Sequence, residues 1–131
     1  MTVCIELPYP PSMNHYWRSV VMGGKGARVL ISRDGRMYRE HVARKCRAQG
    51  VSGLAMAGRL AVAVTLCARD RRVRDLDNYA KALLDALTHA GVWEDDGQID
   101  RLEFVRGPVQ PGGVARVVIT ETQRQGSLME M

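Results

Sequence analysis

Leu60, Val62, Val64 and Leu66 alternate with Ala61, Ala63 and Thr65, the period of two expected of a strand with one buried face. Ten residues on, the period changes. Leu76, Ala80, Leu83, Leu84 and Leu87 recur at i, i+4, i+7, i+8 and i+11, which lines one face of an α-helix. A one-sided strand feeding a one-sided helix hides both apolar faces when the helix lies on the sheet. Any fold of this chain has to accommodate that pair.

The flanking segments extend the pattern. Val3, Ile5 and Leu7 alternate with polar neighbours and stop at Pro8, Pro10 and Pro11, predicting a first, half-buried strand. Residues 11–30 read as a turn, then an aromatic pair (Tyr16, Trp17), then glycines 23, 24 and 26, a flexible or hairpin-like excursion. The GGKG within it lacks the spacing of a phosphate-binding P-loop. Ser32 is a suitable N-cap for a helix to about Gln49, ended by Gly50, with Tyr38, Val42 and Cys46 as its inner stripe. The helix after residue 76 ends at Ala90-Gly91. Two further strands, 100–106 and 114–122, are joined through Pro111-Gly112-Gly113. The order β, α, β, α, β, β predicts a single α+β domain over residues 1–122, a mixed sheet with two main helices on one face. Residues 123–131 are patternless and read as a frayed tail.

At 131 residues the chain suits one hydrophobic core. No apolar run approaches the roughly 20 residues of a membrane span, and the opening MTVCIELPYPP has no signal-peptide pattern. Cys4, Cys46 and Cys67 are odd in number and form no C-x-x-C pair, so neither a disulfide framework nor a zinc site is expected, and a cytoplasmic location is. The net charge of +5 favours an anionic partner. Its distribution says more. Fourteen of the nineteen basic residues lie between Arg18 and Arg74, with three acids among them, and nine of the fourteen acids lie between Asp70 and Glu103. Arginine outnumbers lysine sixteen to three, which suits bidentate contacts to phosphate.

The two charge blocks meet in RRVRDLDNYAKALLDALTHAGVWEDD, residues 71–96. Asp75 and Asp77 stand where an extended segment is expected to enter the helix, and in extended chain residues i and i+2 point to one side. Two such carboxylates can share a hard cation such as Mg²⁺ or Mn²⁺. The helix N-terminus and neighbouring arginines favour their ionised form. Lys81 lies one turn beyond Asp77 and could meet a phosphate, while Asn78 could hydrogen-bond a ligand. The same spacing also describes an N-cap with an ordinary i,i+4 ion pair, and Arg69, Arg71, Arg72 and Arg74 could serve to neutralise nearby acids. Spacing leaves both readings open. The second cluster, Glu94-Asp95-Asp96, follows a helix about 21 Å long, and six extended residues span about 20 Å. Asp96 reaches the first cluster if residues 91–96 double back, or else across a subunit interface.

At these residues the chain resembles the RusA family of Holliday-junction resolvases, the crossover-junction endodeoxyribonucleases of bacteria and their phages. The similarity runs from ELPYPPSMNHYWR through RDLDNYAKALLDALTHAGVWEDDGQID to the closing VVITET. The resemblance implies a RusA-like homodimer with Asp75, Asp77 and Asp96 as catalytic, metal-binding carboxylates and Lys81 as the functional lysine. Asn78 matches the asparagine of D-L-D-N, and Asp95 stands beside the ligand set. It further implies an Mg²⁺-dependent enzyme, with Mn²⁺ as substitute, placing paired nicks across four-way DNA junctions in recombination and repair. Arg69, Arg71, Arg72 and Arg74 are then candidate DNA contacts, with Arg18 near the opening motif. The chain departs from the family pattern in Met22–Ala27 and in its GSLMEM tail. A broader branched-DNA debranching nuclease and a non-catalytic nucleic-acid-binding module are the competing readings.

Overall fold

Alternating apolar residues build the sheet as the sequence predicts. In a computed structural model, strand β1 (Thr2–Leu7) turns Val3, Ile5 and Leu7 inward. A four-residue helix α1 (Met13–Tyr16) leads into the antiparallel hairpin of β2 (Trp17–Val21) and β3 (Ala27–Ile31). Helix α2 (Arg33–Ala48), strand β4 (Arg59–Cys67) and helix α3 (Asp77–His89) follow, then strands β5 (Ile99–Arg106) and β6 (Val114–Thr122). The structure describes residues 1–21, 23 and 26–122, without the side chains of residues 21 and 27. The tail expected to fray, 123–131, and part of the glycine-rich stretch lie outside the described residues.

The main sheet has the order β1-β6-β4-β5, with β4 and β5 parallel and the other neighbours antiparallel. It is the mixed sheet expected, in an α+β fold. Both main helices pack on one face. Leu60, Val62, Val64 and Leu66 of β4 and Val117 and Ile119 of β6 meet Val42 and Cys46 of α2 and Leu83 and Leu87 of α3 in one core. Within α3 the buried stripe is Ala82, Leu83, Ala86 and Leu87, while Ala80 and Leu84 are only half-buried. The expected stripe is thus rotated towards the two alanines, whose small side chains let the helix approach its neighbours.

Ser32 caps α2 as predicted, its Oγ accepting from the Gly35 amide at 2.9 Å. The same hydroxyl donates to the Tyr16 carbonyl at 2.9 Å, joining the end of α1 to the start of α2. Gly35 is required at this crossing, since a Cβ there would lie 2.5 Å from the Tyr16 carbonyl oxygen. At the far end of α2, the Gln49 side-chain amide pairs with the edge strand. It accepts from the Glu6 amide at 2.9 Å and donates to the Glu6 carbonyl at 3.0 Å. Cys46 and Cys67 are buried free thiols and Cys4 is an exposed one. Among the described residues, no helix is long and apolar enough to cross a membrane.

The packing separates two leucines sharply. Leu83 is fully buried, whereas Leu102 of β5 is 45% exposed. Leu83→Ala is expected to destabilise the fold by about 2–5 kcal/mol and Leu102→Ala by under about 1 kcal/mol, both read from urea unfolding.

Candidate active site

The chain leaves the carboxyl end of β4 through an arginine-rich loop organised by one acid. Asp70 accepts from the Arg72 amide at 3.0 Å and forms an ion pair with Arg74 at 2.8 Å. Arg69 and Arg72 approach the same carboxylate at 3.6 and 3.8 Å. Arg74 also donates to the main-chain carbonyls of Asp70 and Arg72, both at 3.2 Å, and its own carbonyl accepts from Arg106 at the end of β5. The loop is therefore tied to itself and to the sheet. Arg74, with its side chain only 15% exposed, holds the loop, while the side chains of Arg69 and Arg72 stay 66% and 77% exposed. Arg71 is also exposed. Of the four loop arginines among the candidate DNA contacts, three present their side chains to solvent and the fourth is mainly structural.

This pairing leaves the next two acids alone. Asp75 and Asp77 are exposed, and neither carboxylate has a hydrogen bond or ion pair among the described residues. Neither side chain caps α3, and Asp77 forms no ion pair with Lys81. The capping alternative is not realised. The backbone between them is also helical, where the spacing predicts extended chain. Leu76 already has helical backbone angles, φ −58° and ψ −41°, and the Asn78 amide donates to the Asp75 carbonyl. Residues two apart in a helical turn point in different directions, so Asp75 and Asp77 share the turn but do not lie side by side on one strand edge. The cause is tertiary, because Leu76 turns to pack against the core. Both carboxylates stand at the positive end of the α3 dipole.

Lys81 is exposed one turn along. It faces an open groove shared with Met13, Asn14, Trp17, Arg18, Ser19 and Val29, so Arg18 and Lys81 line one surface although 63 residues separate them. Asn78, in the first turn of α3, is half-buried. The hairpin wall of the groove is fixed by contacts that sequence patterns did not reveal. Tyr16 is completely buried and donates to Asp85 of α3. Arg39 of α2 donates to the same carboxylate oxygen at 2.9 and 2.7 Å, and to the Tyr16 hydroxyl at 3.0 Å. Burial first, then the Asp85 hydrogen bond, pushes the Tyr16 phenol far above its ordinary pKa, keeping it a donor. Tyr16 is therefore unavailable for stacking on DNA, while Trp17, half-buried, sits edge-on to it at 4.9 Å.

Asp96 lies elsewhere. Gly91, at φ +76°, follows α3 in the left-handed region. Its amide donates to the Thr88 carbonyl at 3.0 Å and that of Val92 to the Leu87 carbonyl at 3.2 Å, a Schellman closure. The chain then turns back by only about one helical turn. Asp96 hydrogen-bonds to Thr88, and Trp93 Nε1 donates to Asp96 Oδ1 at 3.1 Å. Eleven residues of helix separate Thr88 from Asp77, about 16 Å along the axis. Of the two routes open to Asp96, doubling back within one chain is not taken. Accordingly, no three acidic, histidine or cysteine side chains among the described residues converge on a metal-sized site. Asp95 caps the short 3₁₀ turn 96–98, accepting from the Gly97 amide at 3.1 Å, while Gln98 Oε1 accepts from the Asp95 amide at 2.8 Å.

Unpaired carboxylates at a helix N-terminus beside anchored, solvent-facing arginines form a site suited to a hard cation and a phosphate backbone, as in a metal-assisted nuclease. Comparison with known proteins supports the nuclease part of this reading. Residues 8–120 match the family described as endodeoxyribonuclease RusA, and the chain belongs to that family. It is 43% identical over 117 residues to a crossover junction endodeoxyribonuclease of Enterobacteria phage HK97, covering 89% of this chain and 92% of the relative. It is 42% identical to one from Enterobacteria phage 82 and 41% identical to one from Escherichia coli strain K12, each over 121 residues, 92% of this chain and 95% of the relative.

The anchoring role of Asp70 can be read by titration. The Arg74 guanidinium, and then the Arg72 amide, hold its carboxyl below the ordinary 3.8. With the folded pKa lowered, the interaction is complete above the ordinary carboxylate pKa and is lost as pH falls through the folded value. A carboxyl-carbon NMR titration is expected to place Asp70 below 3.8 in the wild type and to return it towards 3.8 in Arg74→Ala.

Proposed function

We propose that this protein resolves Holliday junctions as a divalent-metal-dependent endodeoxyribonuclease of the RusA family. The observation that carries the reading is the contrast between Asp70, which accepts the arginines, and Asp75 and Asp77, which remain unpaired at the start of α3. A structural role would have given those two acids partners. Their carboxylate oxygens are the donors that Mg²⁺, or Mn²⁺ in its place, requires. When bound, the metal supplies Lewis acidity, making a water nucleophilic and offsetting charge that develops on the phosphorus-bound oxygens.

The remaining work falls to the chain's own groups. Arg69, Arg71 and Arg72 bind phosphates of the arms, and because their loop is already anchored, little ordering is needed on contact. Arg18 and Lys81 receive the strand across the groove, with the Lys81 ammonium placed to stabilise the non-bridging oxygens during attack. Asn78 lies within the same turn as the carboxylates and orients substrate or ligand there. Selectivity for four-way DNA comes from the spacing of two such surfaces rather than base reading, and affinity falls steeply with salt. Free thiols at Cys4, Cys46 and Cys67 suit action on DNA in the cytoplasm.

Asp96, held against Thr88 near the far end of α3 from Asp77, completes the ligand set of the second subunit in a homodimer. Such an exchange creates two composite sites related by two-fold symmetry, which matches paired nicks on opposing strands.

Incubation of a labelled four-way junction with Mg²⁺, Mn²⁺ or EDTA is expected to give symmetric nicks with either metal and none with EDTA. Asp75→Asn and Asp77→Asn should each lower cleavage by at least about 100-fold while retaining junction binding. Cleavage at the wild-type rate by either variant contradicts the assignment. Mixing subunits tests the shared site separately. Inactive Asp75→Asn and Asp96→Asn chains regain one nick per junction if each site draws on both subunits, and stay inactive if each site is built from one chain.

A further inference from the structure

Asp96 is the only candidate ligand whose carboxylate is held by other side chains. Trp93, with 1% of its surface exposed, directs its indole Nε1–H between two acceptors, Thr88 Oγ1 at 2.7 Å and Asp96 Oδ1 at 3.1 Å. The Thr88 hydroxyl lies in turn against Asp96 Oδ1. We propose that Thr88 and Trp93 are positioning residues that fix Asp96 for metal binding, an inference that rests on the reading of Asp96 as a ligand.

The hydroxyl has one proton and two acceptors in reach, the Leu84 carbonyl at 3.0 Å and Asp96 Oδ1. An ionised carboxylate is the stronger acceptor, so the proton goes to Asp96 while the hydroxyl oxygen accepts from the indole. The resulting chain, indole to hydroxyl to carboxylate, holds Oδ1 from two sides. No described residue hydrogen-bonds Oδ2, which leaves that oxygen for a cation. Holding is needed here because the carboxylate sits by the negative end of the α3 dipole, where an unsupported anion is disfavoured. A buried indole requires one partner, and Thr88 alone would satisfy it. Asp96 is the additional acceptor. The Schellman closure at Gly91 returns Trp93 over Thr88, so the spacing of Thr88, Trp93 and Asp96 follows from how α3 ends. Partners that orient metal ligands commonly affect metal affinity or activity by 10–100-fold.

Thr88→Val removes the hydroxyl with nearly unchanged shape, and Thr88→Ser restores it. Mn²⁺ binding to metal-free protein, followed by electron paramagnetic resonance, is expected to weaken about 10-fold or more in Thr88→Val and to recover in Thr88→Ser. The Mg²⁺ concentration for half-maximal junction cleavage should rise in parallel, with melting temperature and junction affinity in EDTA unchanged. Trp93→Phe, which keeps the ring and loses the donor, should shift the same metal dependence and serves where Thr88→Val fails to fold. Wild-type Mn²⁺ affinity in a folded Thr88→Val or Trp93→Phe protein, while Asp96→Asn is inactive, overturns the positioning role. Normal cleavage and metal binding by Asp96→Asn instead overturns the ligand reading beneath it.

Discussion

The parallel pairing of β4 with β5 governs where every functional group falls. Two neighbouring strands that run the same way need a crossover between them, and α3 supplies it. The loop leaving β4 and the segment entering β5 therefore emerge at opposite ends of the sheet. Asp75 and Asp77 belong to the first and Asp96 to the second. Once α3 spans that crossover, no rotamer of these short side chains brings the three carboxylates together in one chain. The same geometry places the end of β5 beside the end of β4, which is why Arg106 reaches the carbonyl of Arg74.

Local patterns were legible in proportion to how locally they are determined. The β4 alternation, the Ser32 cap and the Gly91 stop each depend on a few consecutive residues, and each is found where the sequence predicts. The α3 stripe is legible only approximately, because the small Ala82 and Ala86 form part of the contact and the spacing of large apolar residues does not mark them. Asp85 falls outside the apolar stripe of α3, and its position alone does not distinguish it from other polar residues of the helix. Its capture by Tyr16 and Arg39 joins residues 69 and 46 positions apart, and no periodicity encodes it. Asp70 likewise carries no sequence mark as the acceptor that draws in three arginines. The separation of Asp96 from Asp77 turned on strand direction, which helix length and chain reach left undecided.

Charge in the 69–77 segment is sorted by contact rather than by abundance. One carboxylate receives the arginine contacts and gives the loop a shape; the next two, only five and seven positions on, receive none. Had the arginines folded onto Asp75 and Asp77 instead, both a cation and a phosphate would have had to displace those pairs first. Anchoring at Asp70 removes that competition and keeps several guanidinium groups ordered near a place of negative charge. The Tyr16–Arg39–Asp85 cluster performs a related service for the hairpin, tying the base of the strand that carries Arg18 to the helix that carries Lys81.

The pairing of Gln49 with Glu6 has a consequence for solubility. A primary amide carries one acceptor and two donors in a planar unit, so it imitates a peptide group. By meeting both the N–H and the C=O of Glu6, it ends β1 as though one residue of a further strand were already in place. Outer strands otherwise offer their free main-chain groups to any passing extended chain, a common start of aggregation. A single side chain projected from the end of a helix thus occupies one site on the sheet margin without adding a strand to it.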